Sequence, residues 1–61
     1  MLIRLDLFAK MIGIKPAYLL HVVRIQDHLE GIPLPKKIRR GSTFFFEQSE
    51  CLLFIIRWKL R

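Results

Sequence analysis

Four cations stand within five positions in "KKIRR", residues Lys36, Lys37, Arg39 and Arg40, and the hydroxyls Ser42 and Thr43 follow at once. That grouping suits phosphate oxygens, which take charge-assisted hydrogen bonds from Lys and Arg and neutral ones from hydroxyls. A second set, Lys15, Tyr18, His21 and Arg24, recurs at the three-residue spacing that lines one side of a helix. Arg can bond guanine through two donors, and Tyr and His can each make one hydrogen bond or touch a thymine methyl. Catalytic chemistry has little to build on. Asp6, Asp27, Glu30, Glu47 and Glu50 form no pair flanking a cleft, and Ser42, Ser49 and Cys51 have no histidine at a nucleophile–base spacing. No enzyme activity is expected, and no cofactor.

Charge and length agree with an anionic partner. The 61 residues carry 11 Lys and Arg against 5 Asp and Glu, a net +6, with an isoelectric point near 10.3. So strong a field on so small a body favours nucleic acid or an anionic membrane, although a basic face can also serve solubility alone. One domain, 1–61, is expected. A chain of this size buries about 60% of its unfolded surface, so its stability is marginal. Hydrophobic residues make up 52% of it, ample for a small core and against a disordered chain.

The single Cys51 excludes an internal disulfide and a multi-cysteine zinc site, and reads as a reduced thiol in a core. His21 and His28 lie seven residues apart with no acidic cluster nearby, so no metal is expected. "MLIRLDLF" is charged throughout and shows no small-residue cleavage site. The longest apolar run, Cys51 to Ile56, falls far short of the roughly 20 residues of a membrane span. A soluble, cytoplasmic protein is expected.

The elements that must position these groups follow from periodicity. Leu5, Phe8, Ala9 and Ile12 form one stripe of a helix over 5–12, and Gly13 ends it. Pro16 opens a second helix running to about Leu29, with Leu19, Val22, Val23 and Gln26 inward. Lys15, Tyr18, His21, Arg24 and His28 then lie outward, and Gly31 and Pro33 stop the helix. Pro33 and Pro35 hold the next stretch extended. Residues 37–39 and 43–45 read as a hairpin with Arg40, Gly41 and Ser42 at its tip, and one or two of Phe44, Phe45 and Phe46 enter the core. A last helix spans about Gln48 to Lys59.

The break between the first two helices is either a corner in a bundle or a device fixing one helix at an angle for a partner to read. Ala9 is small where a second helix would cross, and Gly13 follows four residues later. Ile14 is apolar after the glycine, and Leu19 and Val22 stand six and nine residues past it. These constraints are those of a helix-turn-helix. With "FAKMIGI", "KPAYLLHVV", "IPLPKKIRRGSTFFF" and "SECLLFI" in this order, the chain from about Ile3 to Trp58 resembles the MerR-like winged-helix proteins, in particular the short phage excisionases and prophage regulators. The link "IQDHLEG" is about one turn longer than the family's, and Lys15 and Pro16 replace its usual Ser or Thr cap.

The resemblance implies a mostly α fold with a small β-hairpin, a winged helix-turn-helix that binds double-stranded DNA. A recognition helix (Lys15, Tyr18, His21, Arg24) would enter the major groove. A wing (Lys36, Lys37, Arg39, Arg40, Ser42, Thr43) would reach phosphates and the adjacent minor groove. It further implies an excisionase-like factor, nucleoid-associated, that binds and bends DNA cooperatively and biases a site-specific recombinase, or a small transcriptional regulator. The closing helix carries more apolar residues than one face can bury. Leu53, Ile56 and Leu60 are therefore candidates for self-association, with a membrane surface or a core wrapped around the helix as alternatives. Outside DNA binding stand a protein-interaction module and a basic membrane-surface peptide.

Overall fold

The computed structural model describes all residues, 1–61. Three helices, α1 (Leu5–Ile12), α2 (Pro16–Ile25) and α3 (Gln48–Leu60), combine with five strands. These are β1 (Leu2–Arg4), β2 (His28–Leu29), β3 (Ile32–Pro33), β4 (Lys37–Arg40) and β5 (Thr43–Glu47). A three-stranded antiparallel sheet has the order β1-β5-β4, and β2 and β3 form a separate two-stranded one. With 51% helix and 26% strand, the chain is a mixed α and β fold. The expectation of a mostly α winged helix-turn-helix with one small hairpin is thereby corrected. Two things account for it: β1 adds a third strand to the expected hairpin, and the link after α2 folds into a hairpin of its own.

Helix α1 has the bounds its spacing predicts and buries Leu5, Phe8, Ala9 and Ile12. Its end is specified by Gly13 at φ 79°. There the N–H of Ile14 donates to Ala9 O at 3.0 Å and that of Gly13 to Lys10 O at 3.2 Å, the paired bonds of a Schellman turn. Ile12 O is taken by the indole Nε1–H of Trp58 at 2.9 Å, which joins α3 to the end of α1.

Helix α2 stops at Ile25, one turn earlier than expected. Gln26 is extended (φ −154°, ψ 169°), and its N–H donates to Val22 O. It is half-buried beyond the helix rather than on the helix's inner face, and its side-chain amide donates to His28 O at 2.7 Å. His28 consequently sits in β2, off the exposed face of α2. Glu30 (φ 51°) and Gly31 (φ 81°) connect β2 to β3. Positive φ at both loop residues is the pattern of a primed two-residue hairpin turn.

The core gathers around Phe8. Its ring lies 5.3 Å from that of Phe46 and 5.4 Å from that of Phe54, and Phe54 stacks on Trp58 at 5.7 Å. Register decides which phenylalanine enters. Ile3, Phe46 and Lys37 are cross-strand partners and share a face of the sheet, whereas Arg4, Phe45 and Ile38 share the other. Phe46 is fully buried, while Phe44 and Phe45 are half-buried. No helix is long and apolar enough to cross a membrane.

Candidate nucleic-acid interface

Leu19, Val22 and Val23 of α2 pack into the core, which leaves Ala17, Tyr18, His21, Arg24 and Ile25 on one exposed face. The first turn of α2 has neither an acidic residue nor a side-chain cap, and Lys15 precedes it, exposed. Three of the four sequence-predicted helix residues, Tyr18, His21 and Arg24, thus share the helix surface, and Lys15 flanks its start. Ile25, 63% exposed, was not among them. Its spacing of four from His21 and seven from Tyr18 is the signal that places it there. An exposed isoleucine on such a face offers apolar contact to a thymine methyl.

The hairpin divides its cations between two faces. Lys37 pairs with Phe46 and Arg39 with Phe44, on the face turned to the core and α2; Ile38 and Arg40 lie on the opposite face. Lys37 Nζ donates to Val23 O at 2.9 Å and sits 5.8 Å from the centre of the Phe44 ring. It therefore satisfies one of the carbonyls that every helix leaves open at its C-terminus. Arg39 Nε donates to Gly41 O at 3.0 Å across the tip, which leaves its terminal nitrogens free to reach outward.

Between helix and hairpin opens a concavity of about 450 Å³, lined by Arg24, Lys37, Arg39, Ser42 and Phe44. Three cations and a hydroxyl converge there with no carboxylate among them. Arg40 is on the far face of the hairpin. Thr43 lines a separate depression with Arg4, Asp6 and Leu20. Lys36 lies at the hairpin's base, where its backbone N–H donates to Glu50 Oε1 at 2.9 Å.

Ion pairing sharpens the asymmetry. The three ion pairs are the amino terminus with Glu47, Arg4 with Asp6, and Arg61 with Glu30, and His28 Nδ1 lies 3.3 Å from Asp27 Oδ1. None engages Lys15, Arg24, Lys36, Lys37, Arg39 or Arg40. On the α2 and hairpin side these cations stand outside any ion pair, with Asp27 lining a neighbouring pocket beside Lys36 and Lys37, and Glu50 at the hairpin's base.

The remaining polar chemistry is sparse. Cys51 is fully buried, and desolvation first, then the charges of Glu50 and Glu47, push its thiol from 9.0 up to about 11. A thiol in that state is a poor nucleophile. No three His, Cys, Asp or Glu side chains are grouped to hold a metal ion.

Compared with known proteins, the chain matches no family model, no curated protein and no solved structure. The resemblance to excisionases accordingly rests on the motifs quoted above.

Proposed function

We propose that this protein binds double-stranded DNA, with the exposed face of α2 in the major groove and the β4–β5 hairpin against the neighbouring backbone. The observation that carries the reading is the shared cleft: Arg24 of α2 meets Lys37, Arg39 and Ser42 of the hairpin with no acidic residue in the lining. A B-form major groove is about 12 Å wide and admits one helix, and the phosphates along its edge then face whatever flanks that helix. Tyr18, His21, Arg24 and Ile25 would meet base edges. Lys15, Arg39, Ser42 and, through their free donors, Lys36 and Lys37 would meet phosphates.

Two roles use such binding. The exposed apolar residues of α3 favour copies acting together, which suits both an excisionase-like factor that bends DNA and directs a site-specific recombinase and a small transcriptional regulator. The test of DNA binding is fluorescence anisotropy with a labelled duplex at several salt concentrations. Four or five neutralised phosphates give a slope of log K against log salt near −4, at about −0.9 per phosphate. A slope flatter than about −2, or equal retention by the Arg24→Ala/Arg39→Ala double variant, would overturn the reading.

A further inference from the structure

Helix α3 carries two apolar stripes. Cys51, Phe54 and Trp58 recur at i, i+3 and i+7 and are buried in the core. Leu53, Ile56 and Leu60 repeat the same spacing two residues later, about 200° round the helix at 3.6 residues per turn. They are 59%, 56% and 81% exposed, and Leu52 is exposed beside them. Together these four side chains present on the order of 500 Å² of apolar surface, near the upper end of what a monomer leaves in water as one patch.

The borders of this stripe identify its occupant. Glu50 and Arg57, seven residues apart, lie on the same flank, and Lys59 lies on the other beside Leu52. A surface groove of about 190 Å³ runs along the Glu50–Arg57 flank, between α3 and the Pro33–Pro35 segment, with Leu53 and Phe54 in its wall. An anionic lipid surface would favour cations on both borders, and Glu50 opposes it. A second copy laid antiparallel is matched instead. With Leu53 packed beside Ile56 of the second copy, Leu60 covers Ser49, and Glu50 of each copy faces Arg57 of the other. The two-fold axis repeats both pairs, and Lys59 falls over Leu52 rather than over another cation.

We infer that the outer face of α3 is the contact surface for a second copy of this chain, paired antiparallel through Leu53, Ile56 and Leu60 with two reciprocal Glu50–Arg57 ion pairs. The area per copy is below the roughly 800 Å² of a standard interface, so the dimer is weak in free solution. The contact uses none of the residues assigned to DNA.

Sedimentation equilibrium without DNA, carried into the millimolar range, tests it. The wild-type mass should climb from the monomer's 7.3 kDa towards twice that value. Glu50→Arg alone and Arg57→Glu alone should stay monomeric, because each places like charges opposite one another. An equimolar mixture of the two should dimerise again, since both pairs are then complementary. A wild type that stays monomeric, a mixture no heavier than its components, or single variants that dimerise like wild type would each overturn the inference. Glu50 also holds the Lys36 N–H. If circular dichroism shows Glu50→Arg unfolded, Leu60→Glu replaces it: folded and monomeric supports the contact, folded and dimeric refutes it. Wild type that stays monomeric yet sediments with phosphatidylserine vesicles, with Ile56→Glu losing that sedimentation, would assign the stripe to lipid and refute the second copy.

Discussion

The ammonium of Lys37 donates to the carbonyl oxygen of Val23 at 2.9 Å, so the hairpin is fastened to the C-terminal end of α2. A cation at that end also meets the negative pole of the helix dipole. The two elements proposed to grip DNA are thereby held at one relative position. Replacing Lys37 by Met keeps the stem and removes the bond. Urea denaturation should then show a loss of about 1 kcal/mol, modest because the freed carbonyl can turn to water. Binding to duplex DNA should weaken as well.

The two arginines at the hairpin tip should part company. Arg39 faces the cleft with Arg24, and Arg40 lies on the opposite face. Arg39→Ala should weaken binding to every duplex and reduce the salt slope by about 1. Arg40→Ala should do so less. Arg24→Ala should instead lower the preference for the best site, by about 1–3 kcal/mol if it reads a guanine. Anisotropy titrations with two unrelated duplexes distinguish these outcomes.

Glu30 is the one residue other than glycine with positive φ, at 51°. Asn tolerates that conformation better than Glu, so Glu30→Asn should stabilise the fold by about 0.5 kcal/mol. The Arg61–Glu30 pair it removes, 3.2 Å long and half exposed, offsets little. The opposite case is Gly13, also at positive φ, where an added Cβ meets no atom within 4 Å. Gly13→Ala should cost about 1 kcal/mol through backbone strain alone.

The Cys51 thiol should resist alkylation at pH 8 in the folded protein and react at the rate of opening once denaturant is added. Its folded pKa, about 11, lies above the ordinary 9.0. The folded state therefore holds a proton that the unfolded state gives up first as pH rises. This contribution is fully present below about pH 9 and is lost progressively between 9 and 11. A thermal-melt series across that window, compared with Cys51→Ala, isolates the effect.

What the sequence discloses here is what local periodicity can encode. The stripe Leu5, Phe8, Ala9 and Ile12 with Gly13 defines α1 to the residue. Gly41 places the hairpin tip, and the split of Leu53, Ile56 and Leu60 from Cys51, Phe54 and Trp58 follows from spacing alone. Strand β1 was not legible, because its partner β5 lies some forty residues away and three residues carry no period. The early stop of α2 was not legible either: no glycine or proline lies between Ile25 and Gly31, and Gln26 is extended with its side-chain amide bonded to His28 O. Within the candidate site, the residue types were readable. Their division was not, because which of Arg39 and Arg40 faces α2 depends on the register of Arg39 against Phe44.

The most direct measurement is a two-dimensional amide NMR titration of the labelled protein with a short duplex DNA. The account predicts that the largest shift changes fall on Lys15 to Ile25 and on Lys37 to Thr43, with the Arg24 and Arg39 side-chain signals among them, while Leu53, Ile56 and Leu60 stay unmoved at a single site. Shift changes centred on α3, or none at low salt, would contradict it.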